Sequence, residues 1–319
     1  MRLLLLLSLA LASPLAAQTR DTLRLPGLHA PVEIVRDSAG INHIYARDEH
    51  DLFFAQGFAA ARDRLFQFEV WRRRATGTFA EALGPAWVER DRAARLFRYR
   101  GDMARELAHY HPRGAAIVRA FVDGVNAWVA RVERDPSLAP PELAAAGLTA
   151  GRWTPEVVVS RHNALSYNAD DEIATAKAVH ALGADRYRQV VKLAPDPVDL
   201  DIAGIDVAAL EPGILDAWNL WRSAPTFGGD EGRSARLEAP RRDDGGTPRE
   251  GSNNWVIAGR RSASGKPLLA NDPHRAIQVP SLRSWVHLVA PGWDVVGGGE
   301  PAIPGVAIGH NRHGAWGLT

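Results

Sequence analysis

A hydroxyl placed one bond after a glycine carbonyl, where an exposed linker meets a strand, can cleave its own chain. Gly251-Ser252 has that placement. The stretch GGDEGRSARLEAPRRDDGGTPREG, Gly228 to Gly251, is charged, rich in Gly and Pro and nearly without large apolar residues. It runs directly into SNNWVIAG, which reads as a buried strand. Attack of the Ser252 hydroxyl on the Gly251 carbonyl would shift the acyl group from nitrogen to oxygen, and water would then release a new N-terminus at Ser252. Glycine suits position 251 because it tolerates the strained backbone that such attack needs. A freed Ser252 would carry nucleophile and base on one residue. An α-amine of pKa near 7.7–8.0 is neutral in roughly one molecule in seven at pH 7, far more often than a lysine. The same dipeptide also reads as an ordinary loop.

Other chemical motifs do not hold. No serine lies in G-x-S-x-G, so no nucleophile elbow is present. Gly259 and Gly265-Lys266 mimic a P-loop, but the spacing is one residue too long and Pro267 replaces the magnesium-binding hydroxyl. Gly297-x-Gly299 lacks a following helix, because Pro301 and Pro304 deny it one. His310 and His313 sit in a turn, GHNRHG, with no third ligand in sequence.

The elements that position Ser252 follow from periodicity. VEIVRDSAGINHIYA, Val32 to Ala46, alternates like a hairpin turning at Ser38-Ala39-Gly40. From Asp48 the spacing becomes helical, with Leu52, Phe53, Ala55, Phe58, Ala61, Leu65, Phe68 and Trp71 on apolar positions and Gly77 and Gly84 as interruptions. Helical stretches are expected from Arg113 to about Val132, and from Thr154-Pro155 to about Ala194. Pro136, Pro140 and Pro141 mark a loop between them. After the linker come strands in SNNWVIAG, KPLLAND, RSWVHLVAP and WDVVGGG, with a tight turn at Ser264-Gly265. The fold class is α+β. The expected divisions are 1–17, 18–227, 228–251 and 252–319: a signal peptide, a helix-rich region, a spacer and a strand-rich region. The chain ends on a strand without a closing element and reads as a fragment.

Composition bounds the function. Of 319 residues, 46% are apolar and 24% charged, enough for a substantial core. Thirty-eight basic against 37 acidic side chains give a net charge of +1, which offers no footprint for nucleic acid. The absence of cysteine excludes disulfides, thiolate metal sites and thiol nucleophiles here. MRLLLLLSLALASPLAAQ has the layout of a secretory signal peptide, with cleavage after Ala12 or Ala17. Its apolar run is too short to span a bilayer. The mature protein is expected to be periplasmic or secreted, with no membrane attachment once the signal is removed.

GSNNWVIAG, SGKPLLANDPH and GVAIGHNRHGAWGLT resemble the start of the β subunit of penicillin-acylase-type N-terminal nucleophile hydrolases. RDSAGINHIYA and DLFFAQGFAAARDRLFQFEVWRRRATGTFAEALG resemble the start of that family's α subunit. The resemblance covers about Val32 to Leu96, Trp153 to Leu182 and Gly251 to Thr319. It implies an αββα sandwich and a precursor whose α and β chains become a heterodimer once the spacer is excised. Ser252 corresponds to the nucleophile and Gly251 to the last spacer residue. His274, in ANDPH, falls where relatives place a residue that assists the serine; read alone, it is equally a structural histidine at a strand end. Asn271 and Asp272 are expected to hold the turn. The resemblance further implies a structural calcium ion, with Glu172 as a ligand, and no organic cofactor. On its own Glu172 reads as an exposed helix acid. Further ligands and both main oxyanion donors would belong to positions past Thr319.

His162, Leu165, Ser166 and Tyr167 occupy the stretch similar to the helix that gates the acyl pocket. Arg275 stands where penicillin G-preferring relatives have an aromatic, which implies a less purely apolar or differently shaped acyl pocket, unless the arginine points to solvent. The implied activity is hydrolysis of a small-molecule N-acyl amide, such as a penicillin or an N-acyl homoserine lactone. The rival reading is a truncated relative that binds acyl ligands without catalysis, and residues 1–319 alone are expected to be inactive. Intact-mass measurement of the protein from its native source is expected to give two chains, one starting at Ser252. The Ser252→Ala variant is expected to remain one chain, and an uncleaved wild type would remove the nucleophile assignment.

Overall fold

The computed structural model describes residues 21–161, 169–191, 199–227, 252–273 and 279–319. Strands β1 (Glu33–Arg36) and β2 (Asn42–Tyr45) form the expected antiparallel hairpin. Asp37 closes it by accepting from the backbone N–H groups of Ala39 and Ile41, each at 2.9 Å, while Gly40 takes φ +80°. Helix α1 (Glu49–Thr76) follows, capped by Asp48, whose carboxylate accepts from Asp51 N at 2.8 Å. It kinks at Arg64 and stops at Gly77 in the left-handed region. Helices α2 (Ala80–Leu83), α3 (Val88–Leu96), α4 (Met103–Tyr110) and α5 (Gly114–Arg134) come next. The proline-rich loop contains a short helix, α6 (Pro141–Ala145), with Pro141 at its first position. Helix α7 (Pro155–Arg161) starts after Thr154 as expected. The last long helical stretch is divided at Gly183, φ +80°, into α8 (Ala169–Leu182) and α9 (Ala184–Val190). Helix α10 (Asp216–Arg222) completes the helix-rich region.

After the linker come β3 (Asn253–Ile257), β4 (Leu268–Asp272), β5 (Ser284–Ala290), β6 (Trp293–Gly299), β7 (Ile308–Asn311) and β8 (Ala315–Trp316). One sheet has the order β1-β2-β5-β6-β7-β8, and β3 and β4 form a separate antiparallel pair. Only β2 and β5 run parallel among these pairings, with Ile44 opposite Leu288 and His43 opposite His287. Ile44 and Leu288 are fully buried in the common core beneath α1. Helices and sheet together make an α+β fold.

Helix α1 packs along α5 so closely that side chains are excluded at the crossing. A Cβ on Gly57 would lie 2.0 Å from the Phe121 carbonyl oxygen, and one on Gly124 would lie 1.9 Å from that of Phe54. Phe58 meets Trp128 edge to face at 5.5 Å beside this contact. At the other end of α1, buried Glu69 accepts from Arg72, from Arg73 and from the backbone N–H of Gly151. That network ties α1 to the loop ahead of α7.

Side chains of α1 also grip the strand-rich region. The Gln56 amide exchanges two 2.9 Å hydrogen bonds with the Gly305 backbone, and Arg64 donates to the Ser281 carbonyl at 3.1 Å. Glu49 accepts from Trp293 Nε1 at 2.9 Å and from the Arg113 guanidinium at 2.8 and 2.7 Å. The Arg113 hydrogen bond holds the Glu49 carboxyl below its ordinary range, against a partial desolvation that pushes it up.

The expectation of a buried β3 is corrected. All five of its residues are exposed, Trp255 at 56% and Val256 at 67%. The reason is geometric: among the described residues β3 pairs only with β4, and the six-stranded sheet closes without it.

Substituting Gly57→Ala is expected to cost on the order of 3 kcal/mol by overpacking. Gly204→Ala, where a Cβ meets nothing within 4 Å, is the matched control in thermal unfolding. Because its folded pKa is depressed, Glu49 stabilises above the ordinary carboxylate range and loses that contribution as pH falls through the folded value. Glu49→Gln is expected to lower stability at neutral pH and flatten the acid limb of the stability curve.

Candidate active site

Ser252 is half-buried and stands immediately before β3. The β3–β4 register sets Asn253 opposite Asp272 and Asn254 opposite Asn271. Continued by one residue, that register brings Ser252 to Pro273, next to the sequence position of His274. His274 and Arg275 lie outside the described residues, as do Gly251 and the pocket candidates His162, Leu165, Ser166 and Tyr167. The structure therefore describes one end of the site, the serine and the strand pair that carries it.

Asn271 and Asp272 were expected to hold a turn; they are the last two residues of strand β4. Asn271 works across elements instead. Its Nδ2 donates to the Leu318 carbonyl at 3.0 Å and, more weakly, to that of Asn253 at 3.4 Å. Its buried Oδ1 has no hydrogen-bond partner among the described residues. Gly317 makes this approach possible, because a Cβ there would lie 2.7 Å from Asn271 Cγ. Trp316 fixes the same segment by donating from Nε1 to the Val306 carbonyl at 3.2 Å. The ANDPH, SNNW and AWGLT motifs thus meet beside Ser252. Sequence reading identified the three motifs but not their meeting, for which the glycine in AWGLT is the one local signal.

Glu172 is exposed on the first turn of α8, beside Asp170 and Asp171. Among the described residues, the only convergence of three or more metal-ligating side chains lies elsewhere, at the start of α1. The donors around Glu172 are oxygen ligands of the type calcium prefers, but calcium takes six to eight of them and this helix turn does not converge that many. Near β6, Asp294 is held below its ordinary range by the His287 hydrogen bond and then by Arg312.

The chain belongs to the penicillin amidase family, whose sequence profile matches residues 31–319. It is 33% identical over 310 residues to the penicillin acylase 2 proenzyme of Pseudomonas sp. (strain SE83), covering 93% of this chain and 37% of that one. To the acyl-homoserine lactone acylase QuiP of Pseudomonas aeruginosa it is 32% identical over 302 residues, covering 92% of this chain and 34% of that one. A solved structure, the thermostable penicillin G acylase from Alcaligenes faecalis, is 27% identical with a TM-score of 0.44, covering 53% of this chain and 95% of that one. The chain thus spans little more than a third of the length of the curated relatives it matches.

Asn271→Ala is expected to free the β3–β4 pair from the segment after β8. Hydrogen exchange at β3 and β4 should then speed up at least about tenfold, the equivalent of one lost hydrogen bond, with β5 and β6 unchanged.

Proposed function

We propose that the whole protein is an exported amidohydrolase that splits N-acyl amides through an ester on Ser252. The observation that carries this reading is the position of Ser252 at the head of β3 in a chain of the penicillin amidase family. In the proposed reaction Ser252 Oγ attacks the amide carbonyl carbon while the Ser252 α-amine accepts the hydroxyl proton. The tetrahedral adduct collapses, the C–N bond breaks, and the α-ammonium returns that proton to the leaving nitrogen. Water, deprotonated by the same amine, then attacks the ester and releases the carboxylic acid and Ser252. Hydrogen-bond donors facing the developing oxyanion would supply about 10²–10³ in rate each. His274 is proposed to position the serine, and Arg275, with His162, Leu165, Ser166 and Tyr167, to shape the acyl pocket. An arginine at 275 favours acyl groups other than a purely aromatic one.

Maturation is proposed to occur by self-cleavage at Gly251-Ser252, leaving α and β chains as a heterodimer. Support comes from the contacts that already join the two regions, namely the β2–β5 pairing and the Gln56, Glu49 and Arg64 bonds. The exposed β3–β4 pair is proposed to enter the interior of an αββα sandwich in the whole protein. A periplasmic or secreted location is proposed from the leader sequence; no described helix is long and apolar enough to cross a membrane. Calcium is proposed as a structural ion with Glu172 among its ligands. No step of the reaction is assigned to it.

The full-length protein is expected to release acid from N-acyl homoserine lactones or acylated β-lactams, followed by mass spectrometry, and Ser252→Ala to release none. Hydrolysis that survives in Ser252→Ala would overturn the reading. After cleavage the two chains are expected to co-elute on gel filtration. Removing calcium with EGTA should weaken that association without changing the pH dependence of turnover.

A further inference from the structure

The first turn of α1 carries a constellation that acyl transfer does not use. His29, Asp48, His50 and Asp51 bring two imidazoles and two carboxylates together, their ligand atoms all within 4.8 Å of one another. Gly27, at φ +100°, turns the chain so that the backbone N–H groups of His29 and Ala30 donate to the fully buried Asp51 carboxylate. The same turn lays the His29 ring on the His50 ring, with centroids 4.2 Å apart and planes 17° from parallel. His29 Nδ1 is 3.0 Å from Asp48 Oδ2, and His50 Nδ1 is 3.0 Å from Asp51 Oδ1.

Helix capping accounts for only part of this cluster. Asp48 Oδ1 accepts from Asp51 N as the helix cap, while Asp51 accepts backbone N–H groups of the preceding segment, His29 N on Oδ1 at 3.0 Å and Ala30 N on Oδ2 at 2.8 Å. Asp48 Oδ2 and Asp51 Oδ1 also face imidazole nitrogens, and neither imidazole serves as a cap. Charge points the same way. The two carboxylates carry two negative charges, and the helix N-terminus offsets about half of one. Stacked imidazoles at 4.2 Å repel if both are protonated. Among the described residues the ion-pair partners of Asp48 and Asp51 are histidines alone, while neighbouring Glu49 is turned to Arg113. A net negative charge therefore remains around four convergent ligand atoms.

We infer that His29, Asp48, His50 and Asp51 bind a divalent transition-metal ion of the zinc class, which clamps the segment ahead of β1 to the first turn of α1. Two imidazoles and two carboxylates suit zinc or nickel, and the nitrogen donors argue against calcium. Tetrahedral zinc with bonds of about 2.0–2.2 Å sets ligand atoms about 3.3 Å apart, between the 3.0 Å contacts and the 4.8 Å limit found here. The exposed His29 side chain supplies the rotation needed to close on the ion. The ion takes the place of the Nδ1 protons in the two imidazole–carboxylate contacts. Each neutral imidazole keeps its proton on Nε2, and an imidazolium releases one to solvent, so affinity falls on acidification.

The test is isothermal titration of the chelator-treated full-length protein with Zn²⁺ alone. Wild type is expected to bind one ion at this site, and His29→Ala with His50→Ala to weaken that binding about tenfold or more. Asp48→Ser, which keeps a capping oxygen but removes the carboxylate, should weaken it as well. His180→Ala, on exposed α8, should leave it unchanged. Unaltered affinity in the histidine double variant, or an equal loss in His180→Ala, would overturn the assignment. As a readout independent of variant folding, Co²⁺ added to wild type should shift the His29 and His50 imidazole resonances before those of the other histidines. Any other histidine responding first would equally overturn it.

Discussion

The parallel pairing of β2 with β5 is the constraint on which the rest of the structure depends. It joins a strand from before the linker to one from after it, across more than two hundred residues of chain. Parallel strands need a crossover, and here the whole helix-rich region serves as that crossover. Ile44 and Leu288 meet in this pairing with no exposure to solvent, under α1. His43 and His287 meet at the adjoining register position, Nδ1 to Nδ1, at 3.0 Å. Cutting the chain in the linker would leave each of these contacts in place, as the proposed two-chain mature form requires.

Helix α1 carries the load between the two regions. Its glycine contact with α5 brings backbone against backbone, and other side chains of the helix reach Gly305, Trp293 and Ser281 through Gln56, Glu49 and Arg64. A buried carboxylate such as Glu69 is tolerated because two guanidinium groups and a backbone N–H satisfy it. Removing one partner of such a network is far costlier than the net worth of the network. The metal-site assignment belongs to the same helix, at its first turn, where an ion would brace the N-terminal segment against the element that holds the molecule together.

The candidate catalytic end has a different character. Ser252 sits on a strand pair whose apolar side chains Trp255, Val256 and Leu268 face solvent among the described residues. Its tether to the main sheet runs through the Asn271 amide and the close approach of Gly317.

Local rules were enough to read much of this protein from its sequence. The turn at Ser38-Ala39-Gly40, the onset of helix at Asp48, the interruption at Gly77 and the Thr154-Pro155 start are each decided by one or two residues and appear where expected. At Gly251-Ser252 the sequence offers a change in composition beside a hydroxyl residue, a pattern that by itself also fits an ordinary loop. Long-range geometry was not legible in that way. Nothing local distinguishes Gly57 from any helix glycine, and only the crossing of α5 makes it indispensable. Exposure of β3 escaped prediction because apolar content reports a tendency to be buried, whereas burial itself depends on which strands pair with it. His29 and His50 lie 21 positions apart, and no motif joins them. The turn at Gly27 and the buried carboxylate of Asp51 bring them together, and that convergence exists only in the folded chain.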